Sequence, residues 1–312
     1  MTGALVISLD CEGKWGIADR PKEGRSFISS EKLVGVYSRI LDILEKYRFR
    51  ATFAFVTALC IDADELRHLL SGVDLRHAGK DWLAAPRLEL GGGASDGWCA
   101  PDLLTQVRSR GVHHICTHGG THLPYSNDAT TQESVAWDIS FARQHHERLG
   151  LDWGGIVFPR NVVGHLDVLA ACGISYYRSM DRCEQVGGNV GKAIRLSNEF
   201  VSADRFGLRK HGETQRGALS ALSSGKFINA RIGFRRRVPS RLTLRRAEVM
   251  LDFAVSHGRI LHLYTHPHNF INDVEMFEKL DHILCKATSL VKAGQLQVIT
   301  MEDEFNGKAA KP

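Results

Sequence analysis

Residues 4–9 form an apolar run rich in β-formers that ends in polar residues, which predicts a buried first strand. Leu33, Tyr37, Ile40 and Leu44 then share one stripe of a helix predicted over residues 31–47, with Ser29 or Ser30 as its cap. Residues 50–56 predict a second strand, and the alternation continues. Residues 112–117 predict a strand, Thr130 and Glu133 form a capping box for a helix ending near Leu149 and Gly150, and residues 155–158 predict the next strand. A short helix over 165–172, stopped by Gly173, leads to a strand at 174–177. Then come a helix at 242–256 stopped at Gly258, a strand at 260–264, a long helix at 274–292 and a last strand at 296–300. Strands and helices in this order predict parallel βα units and an α/β fold.

Residues 72–101, with Gly91-Gly92-Gly93 and Trp98, break that rhythm, as do the Gly- and Ser-rich residues 179–225. Both are expected to be long loops or insertions at the rim of the scaffold. One domain over residues 1–306 accommodates them, and residues 307–312 are expected to be a frayed tail.

At 312 residues and 43% hydrophobic content the chain can bury a large core, which excludes a disordered protein and a small disulfide scaffold. Forty Lys and Arg against 35 Asp and Glu leave a net charge of +5, too diffuse for a nucleic-acid-binding signature. The N-terminal apolar run is too short for a signal peptide and is followed by Asp10 and Glu12. No stretch approaches the roughly 18–20 apolar residues that span a bilayer. Seven cysteines without a C-x-x-C pair fit reduced thiols, so a cytoplasmic location is expected.

Titratable residues gather just past the predicted strand ends: Asp10 and Glu12, His118 and His122, Arg160, and His266 with His268. In a parallel sheet or barrel those ends converge on one rim, where ligand sites form. His118 and His122 are four residues apart, a spacing that on a helical turn brings both imidazoles within reach of one metal. With a carboxylate they would form a His₂-carboxylate site with open positions for water and substrate. The plainer readings are a polar loop for the histidines, a turn cap for the acids, and solvent or rim for His268. Cys11 is expected in the core, pointing opposite to its neighbours. Trp15 and Trp98 read as packing rather than as sugar-stacking platforms.

In chain order, Ser-Leu-Asp10-Cys-Glu12-Gly-Lys-Trp-Gly, Thr-His118-Gly-Gly-Thr-His122, Phe-Pro-Arg160-Asn and Leu-Tyr-Thr-His266-Pro-His-Asn resemble the successive motifs of the polysaccharide deacetylase family, carbohydrate esterase family four. The resemblance runs from about residue 4 to residue 303. It implies a distorted, incomplete (β/α) barrel of about seven parallel strands and a divalent metal, usually zinc. It also implies Asp10 as general base, Glu12, His118 and His122 as metal ligands, Arg160 as the arginine that orients the base, and His266 as general acid. The first motif leaves open whether Asp10 or Glu12 is the ligand and whether Cys11 joins it. In the second motif Gly119 replaces the usual hydroxyl residue, for which Thr121 is a substitute.

The implied reaction is hydrolysis of an N-acyl (acetyl or formyl) group on an amino sugar, with a backbone N–H near residues 123–125 assisting the metal at the oxyanion. A cytoplasmic enzyme of this kind would meet a nucleotide- or lipid-linked precursor of a surface polysaccharide such as O-antigen. Seven arginines between positions 231 and 246 would grip a pyrophosphate or an anionic membrane surface, or else form a solvated loop and helix start. Competing readings are an allantoinase-like hydrolase of a cyclic amide and an inactive carbohydrate-binding relative. Nucleic acid is disfavoured because no basic face with interleaved aromatics is evident.

Overall fold

A computed structural model describes residues 2–180, 186–210 and 215–307. Cys183 and the tail residues 308–312 lie outside the described residues, as does part of the 179–225 segment. In chain order the main elements are β1 (Gly3–Cys11), α1 (Ser30–Lys46), β2 (Thr52–Phe55), α2 (Pro101–Ser109) and β3 (His114–Thr117). There follow α3 (Gln132–Arg148), β4 (Gly155–Ile156), α4 (Leu166–Ala171), β5 (Tyr176–Arg178) and α5 (Gly188–Val201). The chain then forms β6 (Ser220–Leu222), β7 (Gly225–Phe227), α6 (Ser240–His257), β8 (Arg259–Thr265), α7 (Glu275–Lys292), β9 (Leu296–Ile299) and α8 (Met301–Asn306).

Eight parallel strands lie in the order β7-β8-β1-β2-β3-β4-β5-β6, with β9 also paired to β1. The two ends of this path, β6 and β7, are separated in sequence only by Ser223 and Ser224, so the sheet curls into a distorted, incomplete (β/α) barrel. Glu304 of α8 accepts hydrogen bonds from the Ser223 N–H and hydroxyl, which holds the chain where it changes partner.

Strand alternation sorts the side chains into two environments. Along β1, Leu5, Ile7, Leu9 and Cys11 belong to the large core shared with the outer helices, whereas Ala4 and Val6 belong to a smaller interior cluster with Ala54, Cys116, Ile260 and Met301. Apolar side chains therefore fill the barrel interior near the strand N-termini. Ser8, Asp10 and Glu12 continue the Ala4–Val6 parity, so buried polar groups follow one another toward the C-terminal rim. Cys11 lies in the outer core, with its thiol directed to the Leu9 carbonyl.

Several local expectations are corrected. The cap of α3 is Thr131, whose hydroxyl accepts from the Ser134 N–H; Thr130 instead donates to the Pro124 carbonyl. Residues 72–101 are not one loop: they hold a hairpin pairing 76–77 with 80–81 and a helix over Ala84–Gly91. The weak periodicity of 179–225 conceals α5, and α8 has its own capping box between Thr300 and Asp303. Trp15 and Trp98 are both fully buried and meet edge to face at 5.1 Å between ring centroids, so they pack against each other.

Candidate active site

Asp10 and Glu12 leave the end of β1 on the interior side of the barrel. Arg178, the last residue of β5, reaches Asp10 with both ends of its guanidinium, Nη1 to Oδ1 and Nη2 to Oδ2, each at 2.7 Å. It also donates to the Ser8 hydroxyl at 3.0 Å and the Asn161 Oδ1 at 2.8 Å, and it lies 3.9 Å from the centroid of the Tyr264 ring. Asn161 in turn donates to the Tyr264 hydroxyl at 3.0 Å, and His262 Nε2 is 2.8 Å from the Ser8 hydroxyl. Burial alone would raise the Asp10 pKa, but the Arg178 charge and hydrogen bonds hold it below the usual carboxylate value. Asp10 is thereby fixed as an anion with a defined orientation.

Glu12 sits among four imidazoles. Its Oε1 is 3.1 Å from His118 Nε2, 3.1 Å from His122 Nε2 and 3.4 Å from His266 Nε2, while Oε2 is 3.8 Å from His268 Nδ1. Burial opposes its charge, yet His266 and His122 hold its pKa well below the usual range. His266 Nε2 is 3.7 Å from Asp10 Oδ2; burial lowers the pKa of this imidazole, and Glu12, then Asp10, more than reverse that and raise it.

The His118–His122 segment is not helical. It is a loop in which Gly119 (φ 80°) and His122 (φ 60°) adopt left-handed backbone, and this geometry aims both rings at Glu12. Asp138, buried on α3, holds the loop. One of its oxygens accepts from the Gly120 N–H (2.7 Å) and the Tyr125 hydroxyl (2.7 Å); the other accepts from the N–H (2.8 Å) and hydroxyl (2.6 Å) of Thr121. Thr121 thus fastens the loop to Asp138 through both its N–H and its hydroxyl.

The donor set fits a small divalent cation. His118 Nδ1 lies 2.7 Å from the Val157 carbonyl, which can only accept, so in the neutral ring the proton is on Nδ1 and the lone pair of Nε2 faces Glu12 Oε1. In that tautomer the Nε2 lone pair and the carboxylate oxygen, 3.1 Å apart, need either a proton or a metal cation between them. Two ligands each about 2.0–2.1 Å from a tetrahedral zinc would be about 3.3 Å apart. Glu12, His118 and His122 have the convergence such an ion requires. Asp10, Glu12 and His266 form a second convergent set, in which each Asp10 oxygen also accepts one hydrogen bond from Arg178 and keeps a further lone pair.

Of the residues singled out in the sequence, Asp10, Glu12, His118, His122, His266 and His268 come together at the rim. Arg160 does not reach Asp10: it pairs with Asp19 at 2.5 Å and stands 5.4 Å from the Trp82 ring centroid. Its left-handed backbone, shared with Asn161, directs the Asn161 side chain to Arg178 instead. His268 is buried beside Glu12 rather than turned to solvent, and its ring stacks on His266 at 5.2 Å. Sequence reasoning missed Arg178 and Asp138. Arg178 was legible by the rule that found the others, a charged residue just past a predicted strand. Asp138 carried no local signal, because a single acid on a helix usually faces water.

A curled parallel sheet with carboxylate and imidazole groups at the C-terminal ends of its strands defines a (β/α)-barrel protein with a candidate metal centre. Residues 29–151 match the polysaccharide deacetylase family model, a span that contains His118, His122 and Asp138. Solved structures with a similar fold include a probable polysaccharide deacetylase from Pseudomonas aeruginosa PAO1, at 11% identity and TM-score 0.55, covering 97% of this chain and 90% of that one. PuuE allantoinase is similar at 10% identity and TM-score 0.55, covering 97% and 89% of the two chains. A 4-alpha-glucanotransferase from Thermococcus litoralis is similar at 14% identity and TM-score 0.52; this chain is covered to 98% and spans 40% of that one. No curated protein matches the chain. Among the described residues, no helix is long and apolar enough to cross a membrane.

Proposed function

We propose that this protein is a metal-dependent hydrolase that removes an N-acyl group, acetyl or formyl, from an amino sugar. The observation that supports this most directly is the grouping of Glu12, His118 and His122 around one point, with Asp10 and His266 on its border. Glu12, His118 and His122 would hold a divalent cation, Zn²⁺ by the fit of its carboxylate and imidazole donors, which would supply Lewis acidity toward the acyl carbonyl and acidify a water molecule. Asp10 accepts the proton of the attacking water, and Arg178 keeps the carboxylate anionic and aimed. His266 protonates the departing amine.

The substrate in this reading is a nucleotide- or lipid-linked precursor of a surface polysaccharide such as O-antigen, met in the cytoplasm. The test is elemental analysis of the purified protein followed by a screen of N-acyl amino sugars, free and phosphate-linked, for released acetate or formate. Metal bound at one equivalent with acid release supports the proposal. A folded protein that binds no divalent metal and releases no acid from any of these sugars overturns it.

A further inference from the structure

Beside His266 opens a cavity of about 230 Å³ that none of the three candidate metal ligands lines. Its wall includes Arg195 of α5, Lys226 of β7, Arg235, Arg246 of α6, Tyr264 and Asp204. Four cationic side chains from four separate segments therefore face a space next to the proposed proton donor. The cations are not equivalent. Arg246 is bound by two carboxylates, Glu199 at 3.3 Å and Asp204. Arg235, which is half-buried, donates instead to the neutral amide oxygen of Asn229. Glu199 is occupied by Asn229, Thr243 and Arg246. Burial, opposed by Glu199 and reinforced by the charges of Arg246 and Arg195, holds the Arg235 guanidinium below its usual pKa.

The seven arginines between 231 and 246 are thus not one surface. Arg231 turns to Glu275 and the Arg236 carbonyl, while Arg235 and Arg246 turn inward to the cavity, where Arg195 joins them from a distant part of the chain.

We propose that this cavity is a phosphate subsite of the substrate, with Arg235 as its principal ligand. The inference rests on the deacylase reading for its position: in a 2-acylamino sugar the anomeric carbon adjoins the carbon that bears the amide, so an anomeric phosphate lies beside the departing amine and hence beside His266. Guanidinium groups suit phosphate because their planar N–H pairs match two of its oxygens.

Calorimetric titration of the metal-loaded protein with inorganic pyrophosphate tests the subsite without turnover. Binding by the native protein, weakened at least tenfold in Arg235→Gln and partly restored in Arg235→Lys, is expected. Absence of binding, or equal binding by Arg235→Gln with unchanged metal content, overturns the proposal. In the kinetic arm, N-acetylglucosamine 1-phosphate and UDP-N-acetylglucosamine are compared with the neutral methyl glycoside. Arg235→Gln should raise KM for the charged sugars at least tenfold more than for the neutral one. Preference for UDP-N-acetylglucosamine over the 1-phosphate would assign the site to a diphosphate linkage, and the reverse to a monophosphate. Pyrophosphate binding that depends on Arg235, with no acid released from any sugar, would uphold the anion site and overturn the deacylase reading alone.

Discussion

Arg178 and Asp10 form a two-point ion pair, both contacts at 2.7 Å, with side chains 1% and 3% exposed. Two charges this far from water are stable only as a pair, because removing one leaves the other desolvated and uncompensated. The pair ties β5 to β1 across the barrel interior, so one contact serves both the fold and the orientation of Asp10.

Arg178→Gln is accordingly expected to destabilise the protein by about 3–5 kcal/mol and to abolish most acid release. Arg160→Gln removes a partly exposed pair with Asp19 and should cost no more than about 1 kcal/mol. Thermal unfolding of the two variants checks this directly; equal losses would contradict the placement of Arg178 on Asp10.

His266→Ala should retain bound metal and fold while losing about 10²- to 10⁴-fold in kcat, the usual range for removal of a general acid or base, and Asp10→Asn should lose as much in kcat while also lowering the melting temperature, because it leaves Arg178 buried without its counter-charge. Wild-type turnover in either would remove that residue from the proposed chemistry.

Asp138→Asn exchanges a carboxylate that accepts four hydrogen bonds for an amide that cannot accept them all. The loop carrying His118 and His122 should loosen, with metal affinity falling about 10- to 100-fold in competition with a chelating dye. His118→Ala or His122→Ala should instead eliminate stoichiometric binding.

His114 and His146, buried well below the rim, are each pushed down to about 4 by burial. In the unfolded chain they titrate near 6.5, so between those values the unfolded state binds more protons and stability rises with pH. The stability from keeping them neutral is complete above about pH 6.5 and is lost as pH falls toward 4. At pH 5 each should cost about 2 kcal/mol. Melting temperature measured from pH 8 to 5 should fall, and His146→Gln should flatten that slope.

The alternation of apolar runs and amphipathic helices determined the parallel βα order, because burial on a strand and on a helix leaves different periods in the sequence. Parity along β1 likewise assigned Cys11 to the outer core and Asp10 and Glu12 to the opposite face. Position just past a strand end marked six residues that meet at the rim, Asp10, Glu12, His118, His122, His266 and His268. What needed tertiary structure was contact between side chains far apart in the chain. Arg178 lies 168 residues from Asp10, and nothing local distinguishes it from Arg160, which stands at a comparable strand end but is turned away by its left-handed backbone. The His118–His122 spacing suggested a metal pair for a helical reason that does not apply; a loop fastened by Asp138 from a later helix makes the geometry. Within the 231–246 arginine run, inward and outward members were equally indistinguishable, because sequence records charge while only packing decides which charges face water and which face a cavity.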